Sequence, residues 1–279
     1  MDKMLTSFFS GSWSCFKLIG VFFMMTTYAN AGPSFRLNSP QYYFNDPKTL
    51  ELLGAALKGD TAKTKDCVGK GANPNDEGPV DNDYKRLRLL HYAIAAKNPG
   101  AVGILIDVGA DPEMVALGNG AAFQFVSTLE DMDMLNFLLD LCPISTLSRI
   151  SIKKLMFDSV IQPCLPCLDV LLKRGVPIDF PDDAEYTVLM RAMDCQDYDM
   201  AQWLVSRGAS VQVEAYNGMT PAYLIQFHLN KYKVGSPTYN KVLRLKEMMQ
   251  ERGAVFPPLT PAEVRAKRGI KEDPRLYQH

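Results

Sequence analysis

The sequence predicts an all-α solenoid of about six helix–turn–helix repeats with short hairpin loops. The first observation is a period: similar apolar runs end at Gly109-Ala110-Asp111 and at Gly208-Ala209-Ser210, which lie 99 residues apart, or three times 33. The second is composition: 47% of the 279 residues are apolar, which is enough to bury a sizeable core, and 22% are charged. A fixed period near 33 residues is typical of stacked helical units that bury their apolar faces against each other.

The ends of the repeats follow from that period. Counting in steps of 33 leads to Cys142 and Gly175, each after an apolar run, and similar ends occur upstream at Gly71 and downstream at Gly253. We expect left-handed backbone, which ends a helix, at four glycines: Gly109, Gly175, Gly208 and Gly253. Cys142-Pro143 breaks this rule and predicts a remodelled turn. Pro163 and Pro166 predict that the fourth repeat is the least regular.

The helix starts resemble those of the ankyrin-repeat family. The segments that carry the resemblance are Leu89-Leu90-His91-Tyr92-Ala93, Thr187-Val188-Leu189-Met190-Arg191-Ala192 and Asn217-Gly218-Met219-Thr220-Pro221-Ala222. The resemblance covers residues 48–256. It implies that His91 hydrogen-bonds backbone and holds neighbouring hairpins. A catalytic role for His91 is disfavoured because no acid or nucleophile lies at a suitable spacing.

The segments outside the repeats have separate predicted roles. Residues 1–31 combine an early lysine, a short apolar run and Ala29-Asn30-Ala31, which predicts a secretory signal peptide cleaved near Ala31. An uncleaved anchor helix is the alternative. Residues 32–47 are predicted to form an N-terminal capping segment. Residues 257–279 form a basic tail with a short helix that starts with capping chemistry at Thr260–Glu263, and we expect a solvated, partly frayed end there.

Compartment and chemistry are constrained by what the sequence lacks. It contains no Asn-X-Ser/Thr acceptor with a permitted middle residue, which favours a bacterial periplasmic protein that is soluble after cleavage, without stable membrane insertion. The net charge of −1 argues against a nucleic-acid partner. His91, His228 and His279 are scattered, so we expect no metal site, no cofactor and no enzyme activity.

Five cysteines remain after residue 31. Cys164-Leu165-Pro166-Cys167 is a C-x-x-C motif, but it falls between two predicted helices and not in the strand-to-helix context of a thioredoxin-like unit. Cys164 and Cys195 occupy near-equivalent turns of adjacent repeats. An oxidising compartment would therefore permit a disulfide from Cys195 to Cys164 or Cys167, and the alternative is that these cysteines remain thiols.

The predicted binding surface follows from the hairpins, which a stack of this family presents as a concave wall. Carboxylates alternate with tyrosines there, and that mixture suits a protein partner with a basic patch. The alternative is that hairpins are polar only because they are exposed. The predicted contact residues are Asp81, Asp83, Tyr84, Asp182, Asp183, Tyr186, Glu214 and Tyr216.

Three function classes follow. The chain resembles secreted bacterial ankyrin proteins, some of which are immunity partners of lipases or other toxic effectors, so we expect a periplasmic immunity protein that binds and occludes such an enzyme. A structural or protective scaffold for envelope proteins predicts the same sequence features. An enzyme would need clustered catalytic groups, which the sequence does not supply.

Overall fold

The computed structural model describes residues 37–80 and 85–270. The secondary structure of these residues consists of fourteen α-helices, one 3₁₀ turn and two isolated β-bridges. The helices are α1 (Pro40–Tyr43), α2 (Pro47–Leu57), α3 (Thr61–Gly69), α4 (Leu89–Ala95), α5 (Pro99–Asp107), α6 (Ala122–Thr128), α7 (Met132–Leu141), α8 (Arg149–Ile161), α9 (Leu165–Lys173), α10 (Val188–Asp194), α11 (Tyr198–Ser206), α12 (Pro221–Lys231), α13 (Pro237–Glu251) and α14 (Pro261–Lys267). Twelve of them, α2 to α13, form the six predicted helix pairs.

The chain divides into two compact units, Ala31–Val176 and a second that contains Pro177–His279. The first unit holds repeats one to four. In it α4 packs on α6 and α6 on α8, while α5 packs on α7 and α7 on α9. From repeat two to repeat four first helices therefore stack on first helices and second on second, whereas both helices of repeat one, α2 and α3, pack on α5. Buried leucines fill this core: Leu53, Leu89, Leu105, Leu138 and Leu168.

The second unit holds repeats five and six with the same packing, α10 on α12 and α11 on α13. Repeat six is longer than the period, and its extra residues lengthen both helices: α12 has 11 residues and α13 has 15.

The predicted helix ends are confirmed. Gly109, Gly175, Gly208 and Gly253 all have positive φ, between 89° and 103°. Cys142 has a φ of −124°, and a 3₁₀ turn at Ile144–Thr146 follows it, so the turn there is remodelled as expected.

The turn inside each repeat shows why repeat four departs from the others. Gly59, Lys97, Glu130 and Gln196 precede a second helix and have positive φ. Pro163 occupies that place in repeat four, and the proline ring fixes a negative φ. The geometry of this turn therefore has to differ.

The N-terminal segment packs on repeat two. Tyr43 and Phe44 are buried, and both rings lie edge-on to Tyr92, with centroids 5.7 and 6.2 Å away. The Tyr92 hydroxyl donates a hydrogen bond to the Asn38 carbonyl at 2.9 Å. Through these contacts the N-terminal segment covers Tyr92 on α4.

The C-terminal helix α14 begins with the predicted capping box. The Glu263 carboxylate accepts from the Thr260 amide at 2.7 Å, and the Glu263 amide donates to the Thr260 hydroxyl at 3.3 Å. The predicted signal peptide, residues 1–31, lies outside the described residues, as do residues 81–84 and 271–279. Across the part of the chain that the structure describes, every helix is too short or too polar to cross a membrane.

Candidate protein-binding surface

The hairpin between repeats two and three carries exposed apolar side chains. Met114, Val115 and Leu117 are 40, 49 and 52% exposed, although they sit within four residues of each other. Ala116 between them is buried, and its amide donates to the Gly120 carbonyl at 2.8 Å. Because alternate side chains of an extended segment point to opposite sides, Val115 and Leu117 face away from the core. We call Met114, Val115 and Leu117 the apolar hairpin tip.

The preceding hairpin holds the apolar hairpin tip from one side. The Leu117 amide donates to Glu77 Oε1 at 3.2 Å, and the Leu117 carbonyl accepts from the Arg86 amide at 2.9 Å. Arg88 donates from Nε and Nη2 to the Val115 carbonyl at 3.1 and 3.0 Å. The backbone of the tip is thus fixed, and its side chains are what remains for a partner.

The following repeat holds the apolar hairpin tip from the other side. Glu113 Oε1 accepts from the amide and the hydroxyl of Ser148, both at 2.8 Å. Burial alone would raise the pKa of Glu113, but hydrogen bonds from Ser151 and Ser148 outweigh it and lower the pKa. The carboxylate therefore stays ionised and keeps the hairpin fixed. A surface that is rigid before binding loses less conformational entropy when a partner docks.

The acidic hairpin residues of the second unit, which include the predicted contacts Asp182 and Glu214, have partners within the chain. Arg268 Nη2 lies 2.8 Å from Glu185 Oε2, and Lys267 Nζ lies 3.0 Å from Glu214 Oε1. Asp182 Oδ1 accepts from the amides of Ala184 and Tyr186 at 2.8 and 2.9 Å, so this carboxylate shapes its own hairpin. Bases at the C-terminal end of α14 thus balance Glu185 and Glu214, whereas Asp182 lies 3.7 Å from Arg191 Nη2 of α10.

The expectation of a frayed C-terminal tail is wrong for residues 261–270. Arg265 donates to the Asn217 carbonyl at 2.7 Å, and Arg268 donates to the Glu214 and Ala215 carbonyls at 2.9 and 3.0 Å. Gly218 lies so close to α14 that an added Cβ would meet the Pro261 oxygen at 2.1 Å. The helix is docked on the hairpin because its bases find backbone carbonyls there.

The predicted tyrosines differ in exposure. Tyr186 is partly buried, and this burial raises its pKa to about 12. Tyr216 is 61% exposed, and its amide donates to the Ala184 carbonyl at 3.0 Å. Asp183 is exposed. The remaining predicted contacts, Asp81, Asp83 and Tyr84, lie outside the described residues.

The predicted disulfide between Cys164 and Cys195 is wrong. The structure joins Cys164 to Cys167, whose Cα atoms lie 5.3 Å apart, and Cys195 is not part of the bridge. The first turn of a helix brings residues i and i+3 to one side, which makes the local partner available. His91 matches its structural prediction: it is buried, and its Nε2 lies 3.0 Å from the Gly120 carbonyl in the next hairpin. Among the described residues no cluster of three His, Cys, Asp or Glu side chains is arranged to hold a metal ion.

Comparison with solved structures decides the fold. The ankyrin repeat domain of Bcl-3, described as a unique member of the IkappaB protein family, superimposes with a TM-score of 0.56 at 21% identity, covering 79% of this chain and 96% of that domain. The chain has an ankyrin-repeat fold. This confirms the all-α ankyrin-repeat prediction, and an ankyrin-repeat fold suggests a protein-binding module with protein partners.

Two curated proteins are similar over parts of the ankyrin-repeat chain. Protein PhlB of Serratia liquefaciens is 28% identical over 96 residues, which is 34% of this chain and 40% of that protein. Putative ankyrin repeat protein FPV034 of fowlpox virus (strain NVSL) is 20% identical over 177 residues, 63% of this chain and 40% of that protein. The chain spans about two fifths of the length of these relatives. No protein-family model matches the chain.

Sequence reasoning missed the apolar hairpin tip because it searched the hairpins for charge. A signal was available, since Met114-Val115-Ala116-Leu117 is a run of four apolar residues at a place where the other hairpins carry carboxylates, at Glu77, Asp182 and Glu214. Exposed apolar side chains that cluster are more informative than exposed carboxylates, because carboxylates are expected on any surface.

Proposed function

We propose that this ankyrin-repeat chain is a non-catalytic protein-binding module that anchors its partner on the apolar hairpin tip. The observation that carries the proposal is the group of three exposed apolar side chains, Met114, Val115 and Leu117, on a hairpin whose backbone is fixed from both sides. Exposed apolar side chains that cluster on a polar surface mark protein-interaction sites, and their burial against a partner stabilises the complex. The fixed backbone reduces the entropy cost of docking.

The proposal extends to compartment and partner. The signal-like features of residues 1–31 favour export to the periplasm. There the chain acts as an immunity protein that binds a toxic secreted effector enzyme, such as a lipase, and occludes its active cleft. Occlusion needs only a stable contact beside the cleft, and a rigid apolar anchor suits that task. The bases of α14 already balance carboxylates of the second unit, so we place the main anchor on the apolar hairpin tip.

The test combines genetics with a matched pair of variants. Deleting the gene should cause growth arrest in competition with sister cells that secrete the effector, and the wild-type gene should restore growth. Leu117→Glu places a charge on the apolar hairpin tip and should fail to protect. Val234→Glu is the control, because Val234 is also an exposed apolar side chain, at 75%, but belongs to the second unit and not to this hairpin. A normal growth rate after deletion would refute immunity, and protection by Leu117→Glu would refute the proposed surface.

A biochemical experiment distinguishes an immunity protein from a scaffold for envelope proteins. Crosslinking in the periplasm followed by mass spectrometry should recover one enzyme through the wild-type chain and through Val234→Glu, but not through Leu117→Glu. The purified wild-type chain should inhibit that enzyme at an equimolar ratio. Recovery of envelope proteins whose activities are unaffected by the chain would favour the scaffold instead.

A further inference from the structure

The second helices of the repeats share one N-cap, which repeat four alters. Asp60, Asn98, Asp131 and Asp197 each accept a hydrogen bond from the amide three residues later, at 2.9, 3.0, 3.0 and 2.9 Å. In repeat four the same position is Cys164, and its Sγ accepts from the Cys167 amide at 3.3 Å. In repeat six the cap is the Ser236 hydroxyl, which accepts from the Tyr239 amide at 3.2 Å. A sulfur atom therefore stands where the other five repeats place an oxygen, in three cases a carboxylate oxygen.

The two sulfurs of the Cys164–Cys167 disulfide differ in access. Cys164 is partly exposed, and the neighbouring side chains Leu165 and Pro166 are exposed. Cys167 is buried at 1% exposure, with its Sγ 3.8 Å from Met132 Sδ. An incoming thiol can reach the sulfur of Cys164, and the protein shields that of Cys167.

We propose that Cys164–Cys167 is a thiol–disulfide exchange site that small monothiols reduce and re-form. The N-cap position explains why the reduced state is stable. A Cys164 thiolate would carry the same charge as the carboxylates of Asp60, Asp131 and Asp197 and accept the same kind of amide hydrogen bond. A helix N-terminus and a C-x-x-C arrangement both favour the thiolate over the thiol. Reduction therefore replaces the disulfide with a charged N-cap and leaves α9 intact.

The exchange proceeds in two balanced steps. The thiolate of a monothiol, R–S⁻, attacks Cys164 Sγ, the Cys164–Cys167 bond breaks, and its electron pair leaves on Cys167 Sγ, which takes up a proton. A second R–S⁻ attacks the outer sulfur of the Cys164 mixed disulfide, forming R–S–S–R and releasing the Cys164 thiolate. Two monothiols lose two electrons in total, and the protein disulfide gains them. Re-oxidation by R–S–S–R reverses both steps.

The first test measures the reactivity of Cys164 in the reduced protein. The full chain is reduced, the reductant is removed, and iodoacetamide is applied briefly between about pH 5 and pH 9, with alkylation measured peptide by peptide. The midpoint for Cys164 should lie below about 7.5, against about 8.5 for an ordinary cysteine. Cys142 is the internal comparison, since burial raises the pKa of its thiol. A Cys164 midpoint at or above about 8.5 would overturn the proposal.

The second test measures thiol–disulfide exchange and, in a separate measurement, whether the chain stays folded on reduction. In mixtures of reduced and oxidised glutathione, the fraction of disulfide should change with the ratio, and a Cys164–glutathione adduct should accumulate in Cys167→Ser. Circular dichroism should show the helical content unchanged on reduction. Cys164→Asp should match the thermal midpoint of the reduced wild type, whereas Cys164→Ala should melt several degrees lower. A disulfide that persists at every glutathione ratio, or a chain that unfolds on reduction, would show a purely structural bridge.

Discussion

Arg268 joins two hairpins of the second unit: its Nη2 lies 2.8 Å from Glu185 Oε2, and its Nη1 donates to the carbonyl of Glu214. Arg268 and Glu185 are separated by 83 positions in the sequence. The same guanidinium also reaches the Ala215 carbonyl at 3.0 Å. A single side chain of the C-terminal segment therefore satisfies acceptors in the hairpins that precede α10 and α12.

We expect Arg268→Ala to lower the free energy of unfolding of the second unit by about 1 to 3 kcal/mol, because it leaves backbone carbonyls without a charged donor. Lys267→Ala is the matched control. The Lys267–Glu214 pair is largely exposed on the lysine side, so its loss should cost about 0 to 1 kcal/mol. Urea unfolding measures both. Equal effects of the two substitutions would contradict the importance of the carbonyl contacts.

Gly218 allows α14 to approach, and its replacement should displace that helix. Gly218→Ala would place a Cβ 2.1 Å from the Pro261 oxygen at a φ of +83°. Gly235→Ala has a similar φ, +78°, but meets nothing within 4 Å, so it isolates the backbone cost, which we expect to be about 1 kcal/mol. Gly218→Ala should cost clearly more and increase hydrogen exchange at residues 261–268. Identical stability of the two variants would count against close docking.

Glu77 should control the order of the apolar hairpin tip. It accepts the Leu117 amide and pairs with Arg86 and Arg88 at 3.3 and 3.7 Å. Glu77→Ala should speed hydrogen exchange of the Leu117 amide and cost about 1 to 2 kcal/mol. Glu77→Gln keeps an oxygen acceptor and should retain most of the protection. Unchanged exchange in Glu77→Ala would mean that the tip is held by its other contacts alone.

Two buried histidines should make the protein less stable in acid. Burial lowers the pKa of His91 to about 4. Burial and the nearby Lys231 lower the pKa of His228 to about 4, and His228 Nδ1 lies 3.0 Å from the Tyr198 hydroxyl. Both folded-state values lie below the ordinary 6.5, so the unfolded chain binds protons first. Stability is full above pH 6.5 and falls as the pH drops toward 4, by about 2 kcal/mol per histidine at pH 5.

Asp194 opposes this trend. Burial raises its pKa to about 6 despite the neighbouring Arg191, so the folded state binds its proton first and gains stability as the pH falls through 6. Asp194→Asn removes that gain and should deepen the loss between pH 7 and pH 5 by about 1 kcal/mol. Urea unfolding at the two pH values measures the difference. An equal loss in the variant and the wild type would show that Asp194 titrates normally.

Local signals in the sequence were enough for the repeat framework. Each of these signals reflects contacts within one repeat or with the next. They are the repeat period, the positive φ of the glycines at helix ends and the hydrogen bond of His91. The pairing of Glu185 with Arg268 depends on where the C-terminal helix docks, and no periodic pattern encodes that position. The bridge of Cys164 to Cys167 was missed for a different reason. Equivalent turns of adjacent repeats suggest Cys195 as the partner of Cys164, whereas the first turn of α9 brings Cys167 to Cys164 within a single repeat.

The hydrogen bonds at the backbone of Val115 and Leu117 have a consequence for strand pairing. Exposed apolar segments with open peptide edges recruit further strands and seed aggregates. At Leu117 both the amide and the carbonyl are engaged by the preceding hairpin, and the carbonyl of Val115 is engaged by Arg88. An incoming strand cannot pair with these engaged groups, so contacts at the apolar hairpin tip are made by its side chains.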